Sequence, residues 1–119
     1  MTLFIDTTDN DLVKITLLVK DKKFSKQWRT RRLSETLMPQ ISALIEKNKK
    51  KISDLKKIIV VRGPGFFSRV RTGVATANAL AYGLNIRVAG VEVGQKEKKF
   101  SRLVLPFYQK PPNITKSKR

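Results

Sequence analysis

Two short segments carry residues whose types and spacing could do chemistry. Asp6-Thr7-Thr8 closes the first apolar run of the chain, and Gly63-Pro64-Gly65 follows the apolar run Ile58-Ile59-Val60-Val61. In α/β proteins ligands gather at the carboxyl ends of strands, so Asp6 stands where a metal or phosphate ligand is often found. Glycines between a strand and a helix let the backbone approach a phosphate. Both segments also have a purely structural reading, Asp6 as a turn-capping aspartate beside Thr7 and Thr8 and the glycine segment as a sharp turn. A P-loop is excluded, because neither its G-x-x-x-x-G spacing nor its Lys-Ser/Thr pair is present. The remaining carboxylates suggest no acid/base pair.

Composition narrows the chemistry further. The 119 residues include no His and no Cys, which removes thiol nucleophiles, disulfides, histidine proton relays and Cys/His zinc sites. Neither a cofactor nor a metal is expected. The length suits one ordinary domain, and 40% hydrophobic residues suffice for a packed core. The net charge is +17, with eighteen basic and eight acidic groups before residue 95 and eight and one from there on. Such a surplus draws polyanions. The clusters Arg31-Arg32 and Lys49-Lys50-Lys51, and Arg69 of the Arg69/Arg71 pair, are candidate RNA contacts through phosphates. Aromatics fall in apolar segments (Phe66, Phe67, Tyr82), and no interleaved aromatic and basic face of an RNA-recognition type is read. With no apolar stretch of membrane-spanning length and no signal pattern at the start, a cytoplasmic location is expected.

The elements that position these groups follow from hydrophobic period. Residues 1–6, 12–19 and 24–28 read as three short strands joined by tight connections. Leu33, Leu37, Ile41, Leu44 and Ile45 then recur at helical spacing, predicting a first helix over residues 33–47, with Ser34 and Glu35 suited to its first turn. Pro39 inside this pattern would kink the helix or shift its start. Residues 58–61 predict a strand buried on both faces, residues 68–84 a second helix and residues 87–91 another strand. The order βββ-α-β-α-β gives an α/β layer with at most five principal strands, its later part parallel through a right-handed crossover. Beyond Gly94 the pattern dissolves, so residues 1–94 are expected as the folded unit and residues 95–119 as a basic extended tail.

The second helix is unusually poor in side-chain bulk. With Val70, Val74, Ala77, Ala81 and Leu84 turned to the sheet, Thr72, Ala75, Ala79 and Tyr82 fall on another side, where a partner helix could come close.

Three ordered blocks resemble the TsaB family, also called YeaZ. They are Phe4-Ile5-Asp6-Thr7-Thr8, Leu33-Ser34-Glu35-Thr36-Leu37-Met38-Pro39-Gln40-Ile41, and the run from Gly63-Pro64-Gly65-Phe66-Phe67 through Thr76-Ala77. The last is similar to the family's GPGSFTGLRxGxATAKGLA stretch. The resemblance covers residues 3 to about 93 and implies an actin-like ATPase-domain lobe of ribonuclease H-like fold, here a mixed five-stranded sheet with helices packed on it. It implies a non-catalytic partner that pairs with the catalytic subunit TsaD and the ATPase TsaE in forming N6-threonylcarbamoyladenosine at position 37 of tRNA. Pairing would use both helices, here Leu37, Met38 and Ile41 of the first and Arg71, Thr72, Ala75, Asn78, Ala79 and Tyr82 of the second. The same face could instead make a homodimer, and a general RNA-binding or ribosome-associated role is the alternative.

Departures from the family pattern bear on the nucleotide loops. Phe66 and Arg69 replace a typical Ser and Gly, and Leu33 replaces a common His. Asp6, Thr7, Thr8, Gly63, Pro64 and Gly65 are therefore expected to be degenerate remnants of a nucleotide site. Leu105-Pro106-Phe107-Tyr108-Gln109-Lys110-Pro111-Pro112 resembles the P-x-Y-x-R-x-P ending of relatives about twice this length, so the resemblance implies a form with the second lobe missing.

Overall fold

The computed structural model describes residues 1–93, 100–101 and 103–105. Its elements run β1 (Thr2–Asp6), β2 (Leu12–Val19), β3 (Lys22–Arg29), α1 (Leu33–Lys47), a single 3-10 turn (Ile52–Asp54), β4 (Lys57–Gly63), α2 (Phe67–Leu84), β5 (Arg87–Glu92) and β6 (Phe100–Ser101). The βββαβαβ order is as expected. The sheet has six strands, not five, in the order β3-β2-β1-β4-β5-β6. The added strand is β6, which pairs antiparallel with β5 through Ala89 opposite Phe100. Two residues carry too little pattern to be read as a strand, and only the edge of β5 makes them one.

β1, β2 and β3 form an antiparallel meander, whereas β4 lies parallel to both β1 and β5. Strand side chains alternate between the faces. Leu3, Ile5, Val13, Ile15, Leu17, Ile58, Val60 and Val88 all point to one side, where both helices lie. α1 buries Leu33, Leu37, Ile41, Leu44 and Ile45 there, and α2 buries Val70, Val74, Ala77 and Ala81. Ile59, Val61, Ala89 and Val91 form a smaller cluster on the opposite face with Phe4 and Phe100. β4 is thus apolar on both sides, which explains its uninterrupted run.

α1 starts at Leu33 and carries Pro39 on its exposed side, where the missing N–H is best tolerated. α2 ends on Asn85, which adopts the left-handed conformation (φ 57°), and the N–H of Ile86 reaches back to the Ala81 carbonyl at 2.9 Å. Residues 103–105 return over the helix side of the sheet, and Val104 is buried in the main core. Of the segment expected as an extended tail, these residues and β6 thus lie against the folded unit, and its Pro-rich part falls outside the described residues.

Candidate functional site

The two loop segments singled out in the sequence meet in space. Thr8 follows β1 and Gly65 follows β4, its parallel neighbour, and the Phe66 N–H donates to the Thr8 carbonyl at 3.2 Å. Gly63 takes φ 122°, which disfavours any side chain. A Cβ on Gly65 would come 2.6 Å from the Thr8 carbonyl oxygen. The Asp6 carboxylate accepts from the N–H of Thr8 at 3.0 Å and from its hydroxyl at 2.7 Å, the turn-capping arrangement. Thr7 is fully buried and its hydroxyl donates to the Arg69 carbonyl at 2.8 Å. Thr7 therefore latches α2 to β1, and Gly73 lies so close beneath it that a Cβ would strike the Thr7 hydroxyl.

Arg69 departs from its expected role as an RNA contact. Its side chain is buried, and its guanidinium donates to the Asp9 carbonyl at 2.6 Å and the Thr30 carbonyl at 2.8 Å. Burial pulls its pKa below the ordinary arginine value, opposed by the charges of Asp11 and Asp9, and it stays a cation. The group ties the β1–β2 loop and the β3–α1 connection to the start of α2. In the same loop, the N–H groups of Leu12 and Asp11 on the Asp9 carboxylate hold its pKa below the usual value. Among the described residues no group of three or more acidic side chains could hold a metal ion. Asp6, Thr7, Thr8 and Arg69 are thus engaged in bonds within the fold.

The helix face divides the expected pairing residues. Ala75, Ala79 and Tyr82 are exposed on α2, Tyr82 at 88%, with Arg71 exposed and Thr72 half-buried beside them. These residues recur at three- and four-residue steps and make one stripe. Ser68, Arg71, Thr72 and Ala75 line a shallow depression of about 290 Å³. The Arg71 guanidinium lies 5.8 Å from the centre of the Phe67 ring. On α1, Met38 is half-buried at the margin. Leu37 and Ile41 are buried in the core and offer nothing outward, which corrects their assignment to a docking face. Helical spacing cannot tell an inward stripe from an outward one without the sheet in place.

Asn78 is a second correction. Its amide nitrogen donates to the Val104 carbonyl and its amide oxygen accepts from the Val104 N–H, both at 2.8 Å. It clamps the chain's own returning segment. Arg62 supports that clamp, donating to the Leu105 carbonyl at 2.6 Å and pairing with Glu92 at 3.2 Å. An asparagine among alanines was a legible signal, since it favours a helix less than alanine does and here makes side-chain bonds to another segment. The remaining basic candidates Arg31, Arg32, Lys49, Lys50 and Lys51 are exposed, Arg32 lying 3.7 Å from Glu35.

A mixed sheet of this connectivity with two helices on one face defines the class: a lobe of the ribonuclease H-like, actin-like ATPase fold. Residues 27–95 match the family model described as TsaD, tRNA N6-adenosine threonylcarbamoyltransferase. The chain belongs to that family, and it is a TsaB/YeaZ-like member. It is 29% identical over 114 residues to the tRNA threonylcarbamoyladenosine biosynthesis protein TsaB of Bacillus subtilis (strain 168), covering 91% of this chain and 50% of that one. It is 44% identical over 62 residues to the tRNA N6-adenosine threonylcarbamoyltransferase of Geotalea daltonii, covering 52% of this chain and 18% of that one. The solved structure of YeaZ from Pseudomonas aeruginosa superposes with a TM-score of 0.72 at 27% identity, covering 76% of this chain and 43% of that one. The chain spans half or less of the length of each of these relatives. No helix among the described residues is long and apolar enough to cross a membrane.

Proposed function

We propose that this chain is a non-catalytic partner subunit in tRNA N6-threonylcarbamoyladenosine formation and docks a TsaD-like catalytic subunit through the outer stripe of α2. The observation that carries this reading is the exposed run Ala75, Ala79 and Tyr82, with Arg71 and Thr72 beside it, directly behind a helix face that is already buried. Small residues let a second helix approach closely, and an exposed tyrosine at the end of the stripe supplies an anchor of the kind interfaces favour. Met38, half-buried against the core, is the residue of α1 that still offers part of its surface. The names of the relatives supply the pathway, and the lack of His and Cys and the inward commitments of Thr7, Asp6 and Arg69 favour a partner over a catalyst. A TsaE-like ATPase and tRNA would join in the larger assembly.

The test is co-purification with a TsaD-like protein, followed by reconstituted tRNA modification with and without this chain. A complex at micromolar concentration and modification that depends on the chain are expected. Modification at full rate in its absence would remove the partner role, and RNA binding with no TsaD complex would favour the general RNA-binding alternative.

A further inference from the structure

The face of the sheet turned away from the helices brings together residues that the sequence scatters. Strand register places Lys23, Lys57 and Arg87 in one row across the sheet. In the next row Phe4 and Phe100 flank Ile59 and Ala89. Lys14 stands one row further on, opposite Asp6. The four cations are exposed and both rings are half-buried. The Lys57 ammonium lies 5.1 Å from the centre of the Phe100 ring. Strand register thus assembles an aromatic and basic face that the linear sequence does not display.

Part of this face is concave. A depression of about 440 Å³ is lined by the apolar Phe4, Leu18 and Ile59 and by Lys14, Lys23, Thr16 and the carboxylate of Asp6, a volume in the range of ligand pockets. Thr16 contributes a hydroxyl 3.0 Å from that of Ser25, and Asp6 spends part of its charge on Thr8. The chemistry asks for an anion with a flat, weakly polar portion that can lie on a ring. A mononucleotide would fill the depression but leave the row from Lys23 to Arg87 unused. That row crosses four inter-strand steps, about 19 Å at the usual spacing of ~4.8 Å, longer than one nucleotide. An acidic peptide would satisfy the lysines and waste Phe4, and a duplex hides its base faces from a stacking surface.

We infer that this face of the sheet binds single-stranded RNA, one base stacked on Phe4 above Leu18 and Ile59 and the phosphates led along Lys14, Lys23 and Lys57. Stacking on an aromatic ring is tolerant of base identity, and the cations set affinity rather than sequence preference. The site does not depend on the proposed helix docking, so a chain that fails to bind a TsaD-like protein keeps it.

Fluorescence anisotropy with a labelled single-stranded RNA of about ten nucleotides tests this, at a length chosen to cover the row of cations. With three phosphate contacts the affinity of the unaltered chain should fall about twentyfold between roughly 50 and 200 mM salt. The double variant K14E/K23E should lose roughly tenfold or more at the lower salt, whereas K49E/K50E, with the same change in charge, should lose less than about threefold. Phe4→Leu, which keeps an apolar side chain and removes the ring, should lose about fivefold or more. Circular dichroism checks that each variant is folded. For the unaltered chain, photocrosslinking from 4-thiouridine RNA should map to peptides of β1 and β2. Absence of binding, equal losses in the two double variants, an unchanged Phe4→Leu, or crosslinks confined to residues 47–51 would each overturn the site.

Discussion

The two helices lie on the same face of one sheet and use it differently. α1 fills its inward face with large aliphatic side chains, Leu33, Leu37, Ile41, Leu44 and Ile45, and turns polar residues outward. α2 buries Val70, Gly73, Val74, Ala77 and Ala81, a face with far less bulk, and keeps a second line of small residues outside. Large side chains hold a helix by the area they bury, whereas small ones let the helix axis sink close to the sheet and be held by backbone-level contacts such as Thr7 on Arg69. α1 is therefore an anchor. α2 is a rigid platform with a free side.

Four substitutions break or sharpen that contrast. Ile41→Ala in α1 should cost about 4 kcal/mol of stability, because its side chain is fully buried and the cavity lies between helix and sheet. Chemical denaturation measures it, and a loss under about 1 kcal/mol would mean that α1 does not anchor the lobe. Ala75→Arg in α2 should leave stability within about 0.5 kcal/mol but weaken pairing with a TsaD-like protein by about 3 kcal/mol. Unchanged binding in calorimetry would remove α2 from any interface. Gly73→Ala should destabilise by about 2 kcal/mol through its clash with Thr7, read as a lowered Tm. If Gly73→Ala is instead neutral, the close seating of α2 is not needed. Asn78→Ala should cost about 1 kcal/mol and speed amide exchange at Val104, whose N–H it holds. Unaltered exchange there would show that the clamp does not retain the returning segment.

Much of the lobe was readable from local pattern. α1 spans the residues its helical period marks out, and α2 differs from the reading only at its first residue. The inward set Val70, Val74, Ala77 and Ala81 and the outward set Ala75, Ala79 and Tyr82 follow from geometry that neighbouring residues on one helix share. The site was less legible. Leu37 and Ile41 carry the same spacing whether they face a core or a partner, and Arg69 belongs to a basic cluster in the chain while its guanidinium is sequestered by the carbonyls of Asp9 and Thr30. Asn78 meets Val104 only because the chain returns over the sheet. β6 was missed because two residues have no period of their own.

By itself the sequence determined which stretches are helix or strand, which face of each is apolar, a surplus of positive charge and, through its lack of Cys and His, the exclusion of thiol and histidine chemistry. These properties depend on neighbours a few positions apart. The tertiary structure alone decided that Phe4 and Phe100 share a surface with Lys57, that Thr7 and Arg69 are internal ties, and that Leu37 and Ile41 of α1 face the core rather than a partner. Those outcomes depend on strand order and register. Parallel neighbours such as β1 and β4 are joined through a long crossover, and nothing in either strand states which row of the other it will face.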